Sequence, residues 1–237
     1  MYFGHAAEIW RDFPELVPGV TAAAGVTADA KVTDAVARYT EIAARRLVAG
    51  AESEFPEIQA WRRVFARMGL KPTQYRCASE ALLRRLRKEG GLPAPHPLVE
   101  LGNAISAAFA TPVAVLDAAA IGGDLTVRYA AGDERYLTFA GETENPAAGE
   151  VIFADETGQA HARRWTNRQS GRSAVRDGTS EVLIVAEAVH AGASADMPRL
   201  LAAIGNELAA AWPDAKLAAP AILTAQAPRW PVPPSLP

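Results

Sequence analysis

Pro97-Leu98-Val99-Glu100-Leu101-Gly102-Asn103-Ala104-Ile105-Ser106-Ala107-Ala108-Phe109-Ala110-Thr111-Pro112-Val113-Ala114-Val115-Leu116 holds the change of period on which the fold turns. Leu98, Leu101, Ile105 and Phe109 recur at helical spacing. Pro97 suits the first position of that helix, where a missing N–H leaves no bond unmade. Beyond Thr111-Pro112 the helical period stops, and short runs rich in β-branched residues take over.

Outward toward the N-terminus, the spacing predicts helices over Lys31–Val48, ended by Gly50, and over Pro56–Met68. A third helix has Ser79 as its N-cap, Leu82, Leu83 and Leu86 as its buried stripe, and Gly90-Gly91 as its stop. Val17–Val26 reads as a strand, and residues 1–13 as a lead-in. Outward toward the C-terminus, strands are expected at Val113–Leu116, Asp124–Tyr129, Arg135–Phe139, Glu150–Ala154, Ala160–Trp165 and Glu181–Ala188. Gly- and Asn-containing turns separate them, and a last amphipathic helix covers Met197–Trp212. Helices first and strands afterwards predict an α+β fold. One domain is expected over 1–219. The segment 220–237, with six prolines in 18 residues, is expected to be an extended tail whose end is disordered.

The chain has 237 residues, 49% hydrophobic and 22% charged, enough apolar surface for a globular core. No apolar run approaches the roughly 18 residues that a membrane helix needs. Its start, MYFGHAAEIWRDFPEL, lacks the basic and apolar regions of a secretory signal. A single cysteine, Cys77, excludes an intrachain disulfide and a multi-cysteine zinc site. These features predict a cytoplasmic protein.

Net charge is −3, but the charges are segregated. Trp61–Gly91 and His161–Arg176 together hold 14 of the 24 basic groups and two of the 27 acidic ones. That is a local excess of +12, against −15 elsewhere. If the fold joins the two runs, a mildly acidic protein can show a polyanion one basic face. Arginine outnumbers lysine 20 to 4, which suits bidentate phosphate contacts.

Several chemistries find no support. No phosphate-cradling G-x-x-x-x-G-K-[ST] loop occurs, and no G-x-S-x-G elbow. His5, His96, His161 and His190 are scattered without ligand spacing, so no metal is expected. Cys77 reads as a buried thiol. Two polar clusters remain. Glu100 and Asn103 fall on one side of the Pro97 helix, opposite its apolar stripe, with His96 near the same side or capping the helix. The second is Arg163-Arg164-Trp165-Thr166-Asn167-Arg168-Gln169-Ser170. There Trp165 offers a stacking surface, Asn167, Gln169 and Ser170 offer neutral hydrogen bonds, and the arginines can hold phosphates.

The stretch from Arg76 to Glu187 resembles the tRNA-binding and editing domain of the phenylalanyl-tRNA synthetase beta subunit, the B-three/B-four domain, and freestanding proteins built from it. The resemblance is carried by Ser79-Glu80-Ala81-Leu82-Leu83-Arg84-Arg85, by Leu92-Pro93, and by His96-Pro97-Leu98-Val99-Glu100-Leu101-Gly102-Asn103-Ala104-Ile105. Thr111-Pro112-Val113, Leu116-Asp117 and Gly123-Asp124-Leu125 follow, then Glu144-Asn145-Pro146, Gly149-Glu150-Val151, Arg163–Ser170 and Val182-Leu183-Ile184.

The resemblance implies a central, mainly antiparallel sheet flanked by helices, with a pocket between its two halves. It implies a freestanding protein that binds the aminoacyl 3′ end of tRNA and hydrolyses a misattached amino acid from it. Such a site must orient a water, stabilise an oxyanion and select a side chain. Asn103, Asn167 and Gln169 are the candidate catalytic groups. His96, Glu100, Arg164, Trp165 and Ser170 are expected to line the substrate pocket. Arg76, Arg84, Arg85, Arg87, Lys88, Arg163, Arg168 and Arg172 are expected to bind tRNA. No cofactor, metal, DNA or membrane partner is expected. Bacterial synthetases carry a glycine-rich segment with a glutamate where this chain has its Arg-Arg-Trp run, so their amino-acid preference does not carry over. Synthetase catalytic modules are absent, so tRNA charging is not expected. A non-catalytic RNA-binding module and a small-molecule binder, for an amino acid or its analogue, are the alternatives.

Overall fold

Pro97 opens a helix and Pro112 ends the helical half of the chain, as the spacing predicts. The structure, a computed structural model, describes residues 1–233. In chain order its elements are β1 (Tyr2–His5), α1 (Ala7–Asp12), β2 (Val17–Ala24), α2 (Thr33–Ala49), α3 (Pro56–Arg67), α4 (Ala78–Glu89) and α5 (Pro97–Phe109). They continue with β3 (Val113–Asp117), β4 (Leu125–Tyr129), β5 (Arg135–Leu137), β6 (Thr143–Glu144), β7 (Val151–Asp155), β8 (Gln159–Arg163), β9 (Arg168–Gln169) and β10 (Glu181–Ala188). The last are α6 (Ala193–Ala211), β11 (Lys216–Leu217), β12 (Ala221–Ile222) and β13 (Arg229–Pro231).

The fold is α+β and its strand pairing is mainly antiparallel, but the strands divide between two sheets. One runs β13-β1-β4-β7-β8-β5-β6, with β9 beside β8. The other runs β11-β2-β10-β3, with β12 beside β2. Only β1–β4 and β5–β8 are parallel among the described residues.

Alternation along β10 fixes what lies on each side of the second sheet. Val182, Ile184 and Ala186 pack with Leu98, Leu101 and Ile105 of α5 and with Met197, Leu201 and Ile204 of α6. Leu183 and Val185 point the other way, into a core shared with Phe153 of β7, Trp165, and Trp61 and Phe65 of α3. A period of two thus separates a helical layer from a layer facing the first sheet.

Three local expectations change. Residues 1–13 are no lead-in: Phe3, Ile9 and Phe13 are buried on β1, α1 and the residue after it. Their apolar side chains fall in pieces too short for a periodic signal. Ser79 does not cap α4. Cys77 takes the N-cap position without a side-chain bond, and Ser79 Oγ donates instead to Ala110 O at 3.0 Å. The segment 220–233 is no free extended tail: β12 joins one sheet, a turn at Thr224–Ala227 follows, and β13 joins the other sheet. Its prolines are tolerated because these are edge positions, where an N–H can be spared. Expected disorder at its very end falls on residues 234–237, outside the described ones. Among the described residues no helix is long and apolar enough to cross a membrane.

Candidate functional site

Between the two sheets lies a pocket that opens to solvent. Val113 and Ala114 of β3 and Val185 of β10 form one wall; Phe153 and Ala162 form the other. The β8–β9 turn and β9, Trp165 to Gln169, close a third side, and Ala78 at the start of α4 meets them.

That turn is built against backbone preference. Arg164 and Trp165 both have positive φ, 48° and 55°. A non-glycine residue held there costs about 1–3 kcal/mol, and it persists only where its surroundings dictate it. The surroundings are explicit here. Trp165 N donates to Val151 O at 2.7 Å, Arg164 N to Glu150 Oε1 at 2.8 Å, and Ala78 N to Thr166 O at 2.8 Å. The Trp165 ring is fully buried, edge-on to Phe13 and Trp61. The guanidinium of Arg164 lies over the Tyr75 ring, 4.8 Å from its centre.

Asn167 and Gln169 are fixed by their amide nitrogens. Asn167 Nδ2 donates to Arg76 O at 2.7 Å, and Gln169 Nε2 to Val115 O at 2.8 Å. Both line the pocket. Sequence reasoning missed two residues beside them. Thr166 lines the pocket with a buried hydroxyl that has no partner among the described residues. Such an orphan is uncommon in a folded protein and suits a ligand or a water. Glu187 continues the Leu183–Val185 row of β10 into the pocket. Its Oε1 accepts from Trp165 Nε1 at 2.9 Å and from His5 Nε2 at 2.7 Å. An acid at the inward position of an otherwise apolar strand was the available signal; strand alternation alone could have flagged it.

Only Glu187 and Arg168 carry formal charge among the lining residues. Glu187 is buried, while Arg168 is exposed at the rim. The remaining walls are apolar, apart from Thr166, Asn167 and Gln169. A mostly apolar pocket with a few fixed polar groups is the usual form of a small-ligand site.

The sequence of residues 60–201 matches the B3/4 domain family, well over half of the chain. The chain belongs to the B3/4 domain family. An N-terminal fragment of the phenylalanyl-tRNA synthetase beta-subunit from Pyrococcus horikoshii is similar over 51% of this chain, at 12% identity and a TM-score of 0.42. The chain spans 41% of that fragment. No curated protein matches the chain.

The two polar clusters of this B3/4 domain stand on opposite sides of a sheet. Val115 of β3 packs with Leu98, Leu101 and Ile105 of α5, whereas its neighbour Leu116 packs with Trp165 and Phe153. Glu100 and Asn103 are therefore half-buried on a helix behind the sheet, away from the pocket lining. His96 caps α5: its Nδ1 accepts from Leu98 N at 3.2 Å, and burial pushes its pKa down. Ser170 is fully buried, and its Oγ donates to Leu137 O at 2.9 Å instead of facing the pocket.

The two basic runs meet where residues 75–78 touch 164–167. Many of their cations are already engaged. Arg62 and Arg76 flank the buried Glu80, and Arg84 and Arg87 flank the buried Glu52. Hydrogen bonds from Arg87 hold the Glu52 carboxyl below its usual range. Arg85 pairs with Glu89. Arg163 is buried between Glu144 and Glu150, at 2.5 and 2.9 Å. Burial pushes Glu150 up, but Arg163 and the Arg164 N–H outweigh it and leave the pKa lowered. Lys88, Arg168 and Arg172 are exposed. Cys77 is buried, which pushes its thiol up to about 11, well away from a reactive thiolate.

One trio, Glu57, His190 and Asp196, brings candidate ligand atoms within 4.8 Å of one another. Arg46 already donates to both Glu57 oxygens at 2.8 Å, and Arg199 bonds Asp196. Two cations at that spot oppose a third.

Proposed function

We propose that this B3/4 protein binds tRNA and hydrolyses misacylated aminoacyl-tRNA in trans, inserting the aminoacyl 3′ end into the pocket between the two sheets. The observation that carries the reading is the pairing of Glu187 at depth with Arg168 at the rim. An aminoacyl ester on tRNA has an α-ammonium at one end and a phosphate a few bonds beyond the other. In this reading Glu187 takes the ammonium, the apolar walls take the side chain, and Arg168 takes the terminal phosphate.

Hydrolysis needs water directed at the ester carbonyl and a donor for the oxyanion that forms there. The free Thr166 hydroxyl is the candidate donor. The amide oxygens of Asn167 and Gln169, whose nitrogens are fixed, are candidates to hold the water. When the carbonyl–oxygen bond breaks, the amino acid leaves as a carboxylate and the tRNA regains its terminal hydroxyl. Asn103 and Glu100 take no part in this arrangement, and His96 serves α5.

The test is deacylation of a panel of misacylated tRNAs. Gln169→Ala and Thr166→Val should slow turnover at least tenfold with tRNA affinity kept, and Asn103→Ala should leave the rate unchanged. No turnover on any member of the panel rejects the hydrolase. The engagement of so many arginines by internal glutamates favours a second reading, a pocket for a free amino acid or analogue. Salt separates the two: phosphate-mediated binding weakens steeply with added salt, whereas binding of a small zwitterion hardly changes.

A further inference from the structure

The first sheet carries a second concavity, away from the pocket and lined by Arg135, Leu137, Thr143, Thr157, Gln159 and Arg172. Arginines elsewhere on this sheet are matched by acids: Arg128 by Glu134, Arg163 by Glu144 and Glu150, Arg168 by Glu144. Arg135 and Arg172 have no such partner among the described residues.

Arg135 is nevertheless held in place. The Gln159 amide is buried, and with its oxygen toward the guanidinium it accepts from Nε at 3.1 Å and Nη2 at 2.7 Å. The remaining N–H groups of Arg135 are left for a ligand. Nearby Asp155 does not answer these cations. It is saturated by Gly122 N, Thr157 N and Oγ1, Gln159 N and His161 Nε2. Two guanidiniums on neighbouring strand and loop, with the exposed Thr143 hydroxyl between the same walls, match the acceptor-rich tetrahedron of a phosphate.

An exposed aromatic residue follows on the same segment. Phe139, two residues past Leu137, is 72% exposed. A methyl added at Gly171 would meet the Phe139 Cα at 3.5 Å, so this ring is carried on backbone that abuts the Arg172 loop. An aromatic face next to a phosphate site is how single-stranded RNA is held without regard to sequence.

We infer that this concavity is a phosphate site. Arg135 and Arg172 take one phosphate of single-stranded RNA, Thr143 adds a hydrogen bond, and an adjoining base lies on Phe139. RNA as the source of the phosphate rests on the tRNA reading above; the anion site does not.

The experiment uses the full chain and two probes. Inorganic phosphate is titrated at constant ionic strength by calorimetry, and a short single-stranded RNA is titrated by fluorescence anisotropy. The double variant Arg135→Gln/Arg172→Gln removes two exposed, unpaired charges, and an unchanged urea midpoint confirms its fold. Phosphate should bind the wild type saturably and the double variant at least tenfold more weakly. RNA affinity should fall about tenfold, with the salt slope reduced by about 0.7 for the one phosphate lost. Phe139→Ala should weaken RNA and leave phosphate unchanged. Equal phosphate titrations for wild type and double variant, or no saturable binding to either, overturn the site. Weakened phosphate binding with unchanged RNA affinity keeps the site, overturns RNA as its source, and assigns it to a small phosphorylated compound. If the wild type fails to bind tRNA while phosphate still separates the two proteins, the tRNA reading falls and the anion site stands.

Discussion

The helical arginine stretch and the β8–β9 arginine stretch look alike in composition and differ in use. In the first, Arg62, Arg76, Arg84 and Arg87 surround two buried glutamates, Glu80 and Glu52, that came from distant parts of the chain or from the same helix. In the second, only Arg163 is sunk between acids, while the residues after it form a strained turn that walls a pocket. A guanidinium neutralising a buried carboxylate contributes little potential at the surface. Charge counted along a sequence therefore overstates the charge a partner meets.

The largest expected effect tests the pocket side of this contrast. Trp165→Ala should lower the unfolding free energy by about 4 kcal/mol in urea titration, because a fully buried aromatic leaves a cavity between the sheets. A loss under about 1 kcal/mol would mean that the turn is not anchored by its ring. Next, Glu80→Ala should cost about 2–3 kcal/mol, since it strands Arg62 and Arg76 beside apolar surface. Stability left unchanged would show that the first stretch is solvated charge after all.

A third measurement concerns the acid limb of stability. Burial alone would raise the Asp155 pKa, but the Gln159 and Gly122 N–H groups, His161 and Thr157 bring it down to about 2. Its unfolded value is about 3.9. Its contribution of about 2 kcal/mol is therefore fully present above pH 4 and disappears as the pH falls toward 2. Asp155→Asn should flatten that limb of the pH–stability curve. The smallest effect compares the stretches directly. Arg168→Glu should weaken tRNA binding about tenfold, whereas Arg85→Glu, whose partner Glu89 is exposed, should change it less than twofold. The reverse order would move the RNA face to α4.

Most of the architecture was legible in the sequence. The helices from residue 31 onward and the major strands carry regular apolar periods, and Pro97 and Pro112 mark the change between them. The opening residues were not legible, because β1 and α1 are four and six residues long. The site was half legible. Trp165, Asn167 and Gln169 announced themselves by sitting together in one polar run. Glu100 and Asn103 looked equivalent to them because a helical wheel shows which residues share a face, not what that face meets. Only β3, with Val115 turned toward α5 and Leu116 toward Trp165, places the two clusters on different sides. Glu187 was within reach of strand alternation as an acid on the inward row of β10, but its partner His5, 182 positions away, is encoded by no local pattern.

The β1–β13 ladder joins the two ends of the described chain: Val232 N donates to Met1 O at 3.1 Å, and Phe3 stands opposite Trp230. Among the described strands β13 is synthesised last, so β1 waits for its antiparallel partner while every strand between them is made. His5, which bonds Glu187, sits on β1. The strand that positions the partner of the pocket carboxylate is thus locked only once β13 has been made. A circular permutant that splices residue 232 to residue 1 and opens the chain elsewhere would make that ladder first.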